Sequence, residues 1–181
     1  MTTAPQFEIL HPLTVLYAAA GHELPDFDVI DSNELPAPAY RLLAHSGDMT
    51  SKLEEYFADD MRLRILQCEH APEHYRREVL LYGANSGLSV EYGAIEIHLS
   101  AFPETIRAEI VAGQVPLGGL LNRHGIRYRS EPRAFLRIAP CERLKELFQL
   151  LRPSVLFGRA NRLLNGDGTE LARIVEILRP V

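Results

Sequence analysis

The stretch that decides the fold is Leu156–Leu178, LFGRANRLLNGDGTELARIVEIL. Its centre, Asn165-Gly166-Asp167-Gly168, holds residues suited to a tight hairpin turn, with alternating apolar positions on both sides. The spacing predicts two antiparallel strands. Side chains of a strand alternate between faces, so Ala172, Ile174, Glu176 and Leu178 share one side of the second. A carboxylate on an otherwise apolar face carries a desolvation penalty, so Glu176 needs either a partner or a ligand.

Upstream, Met61-Arg62-Leu63-Arg64-Ile65 alternates as a half-buried strand, and residues 75–82 form the next. The turn Gly83-Ala84-Asn85-Ser86-Gly87 returns the chain into residues 88–99. There Val90 and Tyr92 fall on one parity and Ile95, Ile97 and Leu99 on the other, which predicts a bulge at Gly93-Ala94. Ile126–Ile138 reads as a strand bent around Pro132.

Helices are expected from Asp48, with short polar caps, to about Ala58, and from Pro103 to Ala112 with Gly113 as the stop. A turn of helix is expected at Leu117–Asn122. Cys141–Leu151 would align Leu144, Leu147, Phe148 and Leu151 on one face. Pro12, Pro25, Pro36 and Pro38 punctuate residues 1–38, which read as a wrapping N-terminal arm with one short helix at Leu13–Ala20. The expected class is α+β: an antiparallel sheet of about six strands with helices packed on it, in a single domain over 39–181.

With 181 residues, 46% hydrophobic and 24% charged, the chain has the composition of a globular protein able to bury a core. A formal charge of −5 provides no global basic field, so neither nucleic acid nor an anionic membrane is expected as a partner. Cys68 and Cys141 are far apart in sequence and lack zinc-ligand spacing, which points to free thiols and no metal site. The apolar run Leu13–Ala20 is too short to span a bilayer and has no basic flank, so a soluble, cytoplasmic protein is expected.

The strand at residues 75–82 repeats the oddity of the last one. Parity places Arg77 with Val79 and Leu81, while Arg76 and Glu78 share the other face with Leu80 and Tyr82. Two apolar faces thus carry single charges of opposite sign. One reading is a buried ion pair between Arg77 and Glu176, although desolvation makes such pairs weak stabilisers. Another is a closed pocket in which Arg77 receives an anion and Glu176 meets a polar group at the far end, since a guanidinium matches a carboxylate bidentately. Pro116-Leu117-Gly118-Gly119 would add backbone N–H groups at a helix start. Seven histidines show no ligand spacing, and nucleophile-elbow, phosphate-loop and zinc-protease motifs are absent.

Taken together, Asp48-Met49-Thr50, Arg77-Glu78-Val79-Leu80-Leu81, Pro116-Leu117-Gly118, Leu156-Phe157-Gly158-Arg159 and Val175-Glu176-Ile177-Leu178-Arg179-Pro180 resemble the chorismate pyruvate-lyase family in order and spacing. The resemblance covers about Leu42 to Pro180. The run Tyr92-Gly93-Ala94-Ile95-Glu96-Ile97-His98-Leu99 is more similar to the divergent chorismate-lyase-like branch than to the ubiquinone-pathway enzymes. It implies a lyase that converts chorismate to 4-hydroxybenzoate and pyruvate without a cofactor. By that likeness Arg77 would bind the ring carboxylate, helped by backbone at Met49, Leu117 and Gly118, and Glu176 would contact the ring hydroxyl. Gly93 matches a family glycine, but Ala94 stands where ubiquinone-pathway members carry an arginine suited to the second carboxylate. Arg159 is the candidate substitute, and Ala160 replaces a second family arginine.

Of three functions weighed from the sequence, the expected one is the lyase, with Glu176 and Arg77 catalytic. The second is a non-catalytic effector domain of the same fold that binds an aromatic acid, and the third is a pocketless protein with a structural ion pair. Oligomeric state is not legible in the sequence.

Overall fold

The computed structural model describes residues 8–181, so residues 1–7 of the expected arm lie outside the described residues. One sheet contains β1 (Asp26–Ile30), β2 (Met61–His70), β3 (His74–Gly83), β4 (Ser89–His98), β5 (Tyr128–Ala139), β6 (Leu156–Asn165) and β7 (Glu170–Leu178). The spatial order is β1-β5-β6-β7-β4-β3-β2, with every pairing antiparallel. Two meanders, β2-β3-β4 and β5-β6-β7, are thus joined through β4 and β7, with β1 on the outer edge of β5. Around the sheet lie α1 (Leu13–Ala20), α2 (Ala37–Leu43), α3 (Met49–Phe57), α4 (Glu104–Ala112), α5 (Leu117–Arg123) and α6 (Glu142–Phe148).

The antiparallel α+β expectation is met, with one strand more than about six. The extra strand, β1, comes from the segment read as an arm and pairs residue by residue with Ile30–Asp26 against Phe135–Ala139. Only Ile30 of its five residues is buried, so it carries no apolar face to signal a strand. Helix α2 was likewise hidden by prolines. Pro36 precedes it and Pro38 sits in its first turn, where the missing N–H costs nothing.

Two local expectations are corrected. No bulge occurs at Gly93-Ala94, where β4 pairs without interruption with both neighbours. The irregularity lies at Val90, because Leu81 and Tyr82 pair with Glu91 and Ser89 and skip the residue between. Helix α6 stops at Phe148 because Gln149 turns left-handed at φ 54. Leu151, expected on its apolar face, is 96% exposed.

Apolar packing divides the molecule into three clusters. On one face of the sheet, Leu13, Leu16 and Tyr17 of α1 and Leu144 and Phe148 of α6 cover Leu80, Tyr92, Val175 and Ile177. The other face carries two clusters. Ile106, Ile110, Leu117 and Leu121 of α4 and α5 cover Tyr75, Ile95, Ile97, Leu163 and Ala172. Leu42, Leu43, Met49 and Leu53 of α2 and α3 cover Leu81, Val90 and Leu178. Each central strand therefore runs beneath one helical cluster, across a gap, and beneath the other.

Candidate functional site

The gap between the two helical clusters is where the charges sit. On β3 it falls between Tyr75 and Leu81, at Arg77 and Val79; on β7 between Ala172 and Leu178, at Ile174 and Glu176; on β6 it holds Asn161 and Arg159. A chamber of about 80 Å³ occupies this gap. One buried water needs roughly 10–15 Å³, so the free space exceeds that of a single water several-fold. Arg77, Glu176, Gly93 and Arg159 from the strands, and Met49, Leu117 and Gly118 from the starts of α3 and α5, all line it. The seven residues expected to be catalytic or substrate-binding therefore line one space.

The pairing inside differs from the expected one. Arg159 lies directly opposite Glu176 in the β6–β7 register, and its Nε donates to Glu176 Oε2. Its Nη1 donates to the carbonyls of Leu43, at 2.7 Å, and His45, at 3.0 Å. These bonds fasten the turn after α2 to the sheet. Glu176 is thus held by Arg159, and the Arg77–Glu176 ion pair does not form.

Arg77 is 3% exposed, and its Nη2 donates to the Val115 carbonyl at 3.2 Å. Among the described residues, its Nε and Nη1 are buried without a partner. The Tyr75 ring centroid stands 6.0 Å from the guanidinium carbon, at the outer limit of a cation–π contact. Burial lowers the arginine's pKa, opposed by Tyr75.

Further polar groups were missed by sequence reasoning. Glu91 is buried, with Oε2 unpartnered, and burial followed by the charge of Glu176 raises its carboxyl well above the usual range. Asn161 Nδ2 donates to Ser130 Oγ at 2.8 Å, while its Oδ1 has no partner. Burial and then the nearby Asp48 push the Tyr128 hydroxyl up to about 12. Asp48 caps α3 by accepting from Ser51 N at 3.0 Å. A Cβ on Gly118 would collide with Asp48 Oδ1 and stand 3.0 Å from Tyr128 Oη. Gly118 is what allows the starts of α3 and α5 to meet at the chamber wall.

The fold that carries this chamber is similar to that of solved proteins. The effector domain of PhnF from Mycobacterium smegmatis aligns with a TM-score of 0.56 at 13% identity, over 74% of this chain and 88% of that domain. The chain shares the fold of that domain. Against the longer PhnF structure the TM-score is 0.55 at 13% identity, and the chain, 74% covered, spans 64% of that protein's length. A possible transcriptional regulator, YydK from Bacillus subtilis, aligns with a TM-score of 0.54 at 12% identity, over 75% of this chain and 63% of its own. No protein-family model and no curated protein matches the chain.

The lyase expectation is corrected by these findings. Solved structures that share the fold include an effector domain and a possible regulator. Within the chamber Glu176, expected to face a ring hydroxyl, accepts from Arg159 Nε. The expected exclusion of nucleic-acid partners also finds no support among neighbours that include a possible transcriptional regulator. Among the described residues, no helix is long and apolar enough to cross a membrane.

Proposed function

We propose that this chain is a non-catalytic receptor domain that binds a compact organic anion, of the aromatic-acid class, with Arg77 as its counter-ion. The observation that carries this reading is the Arg77 guanidinium, buried with Nε and Nη1 unpartnered on the wall of the chamber. An unpaired buried charge costs several kcal/mol, and each unsatisfied donor about 1–3 kcal/mol more. A carboxylate entering the chamber offsets both. Aliphatic walls from Val79, Leu81, Ile95 and Leu163 suit an apolar body behind that carboxylate. By likeness to the PhnF effector domain, occupancy of the chamber is the signal that a partner reads.

Thermal unfolding with benzoate, 4-hydroxybenzoate and phenol tests this. Both acids should raise the melting temperature and phenol should do little; at one hundred times Kd the gain corresponds to about 2.7 kcal/mol. Arg77→Met should abolish the response to the acids. An equal response in the variant would remove Arg77 from the site.

A further inference from the structure

On the reading that the chamber receives an organic anion at Arg77, one carboxyl in it is still without a role. Glu91 is 4% exposed, lines the chamber, and leaves Oε2 without a hydrogen-bond partner. Its side chain leans along β4 towards Gly93, since a Cβ built on Gly93 would stand 3.6 Å from Glu91 Oε1. Gly93 is the residue of β4 that pairs with Glu176 on β7. The Glu91 carboxyl therefore lies over the strand position beside Glu176, and neighbouring strands are only about 4.8 Å apart. Glu91 and Glu176 line one space, and the guanidinium that opposes them there, Arg159, gives its Nε to Glu176. Like charges so placed cannot both ionise without a large penalty, and the proton belongs on the group that lacks the cation.

We infer that Glu91 is a neutral hydrogen-bond donor aimed into the chamber, and that the ligand carries an accepting oxygen at the end opposite its carboxylate. Arg77 pairs with Ile95, two positions along β4 from the glycine beneath the Glu91 carboxyl. That is about 6.7 Å along the strand and one spacing of about 4.8 Å across to β3, or about 8 Å between the two backbone positions. The ligand class is thus a short, stiff carboxylic acid with a carbonyl at its far end, a para-acylbenzoate being one with a suitable span. The electrostatics run in the same direction. Burial and then the charge of Glu176 favour the protonated form, Asp48 at the cap of α3 adds to them, and Arg159 on β6 opposes. Arg77, on β3, faces the same space from its other end.

Calorimetric titration of 4-formylbenzoate and 4-methylbenzoate tests the donor, because the two differ mainly in the accepting oxygen. The native protein should prefer the formyl compound by roughly 2- to 10-fold, the worth of one neutral hydrogen bond. Glu91→Gln keeps an N–H donor and should keep the preference; Glu91→Leu should abolish it. In the native protein the preference should fade as pH rises and the Glu91 carboxyl ionises, whereas Glu91→Gln should hold it. A preference that survives Glu91→Leu, with Arg77-dependent binding intact, would overturn the donor role and leave the anion site standing. Failure of both benzoates to bind the native protein would overturn the site and the donor together. A ligand-free readout separates the two. Infrared spectra at neutral pH should show a protonated-carboxyl band that Glu91→Gln removes, and absence of that band overturns the inference whatever the ligand does.

Discussion

Two arginines line the same chamber in opposite states. Arg159 is 1% exposed and gives its Nε to Glu176 and its Nη1 to two carbonyls. Arg77 is as deeply buried, yet Nε and Nη1 have no partner. The difference separates a charge that belongs to the architecture from one that the fold leaves available. Arg159 ties β6 to β7 and to the end of α2, so its counter-charges arrive with folding. Arg77 has only a carbonyl from the loop between α4 and α5, and its counter-charge must come from elsewhere.

The largest effect expected from this contrast is on stability at the Arg159 end. Arg159→Met leaves Glu176 buried without its cation and should cost about 3–5 kcal/mol in urea unfolding. Replacing both partners, as Arg159→Met with Glu176→Leu, should recover much of that loss, because no uncompensated charge remains. A loss under about 1 kcal/mol for the single variant would show that the pair is not structural, since 3–5 kcal/mol is the usual range.

Arg77→Met should behave in the opposite sense. It removes an unpaired buried charge, so the ligand-free protein should gain stability, by about 0.5–2 kcal/mol as at other sites kept for function. Affinity for benzoate should fall at least about 30-fold, the lower end for removing one partner of a buried charge pair. Destabilisation equal to that of Arg159→Met would erase the distinction between the two arginines.

Much of this was legible in the sequence, and what was not has identifiable causes. The Asn-Gly-Asp-Gly turn and flanking alternation locate β6 and β7, and parity alone places Arg77 and Glu176 on apolar faces. Parity says which face a side chain takes, but not which strand comes alongside. That Glu176 meets Arg159 depends on register across β6 and β7, and that Arg77 meets neither depends on the order of four central strands. Glu91 was hidden by one skipped residue. With the phase change placed at Gly93-Ala94, its side chain could not be assigned to the chamber face; with the irregularity at Val90, Glu91 falls in line with Gly93 and Ile95. Edge strand β1 and helix α2 escaped because one buries almost nothing and the other begins among prolines.

Gly118→Ala sharpens the contrast from a third side, by moving the wall without touching either guanidinium. The new Cβ would displace Asp48, whose carboxylate accepts from Ser51 N at 3.0 Å and Ser51 Oγ at 2.7 Å. Loss of that cap should cost about 1 kcal/mol. Asp48→Ala alone should cost a similar amount, and adding Gly118→Ala to it should cost little more. Fully additive losses would mean that the glycine is needed for something besides the cap.

The smallest effect is in the pH dependence, and it too should distinguish the two arginines. His45 offers its carbonyl to Arg159 Nη1, while its ring Nδ1 accepts from Gly47 N at 3.2 Å and its Nε2 is buried without a partner. Burial, and then the charge of Arg159, hold the imidazole pKa below its ordinary value, with Glu176 pulling the other way. In the unfolded chain the ring takes up its proton near pH 6.5. Just below that pH the unfolded state therefore binds more protons than the folded one, and stability rises with pH. The contribution is fully present above about pH 6.5 and is lost as the pH falls toward the lowered folded value. His45→Gln should flatten that slope between pH 7 and 5, a window set by the ordinary histidine value. Arg159→Met should reduce it by removing a cation beside the ring, whereas Arg77→Met should leave it unchanged. If Arg77→Met altered the slope as much as Arg159→Met, the two guanidiniums would act on His45 as one field, and the division of the chamber into a structural end and a receiving end would not hold.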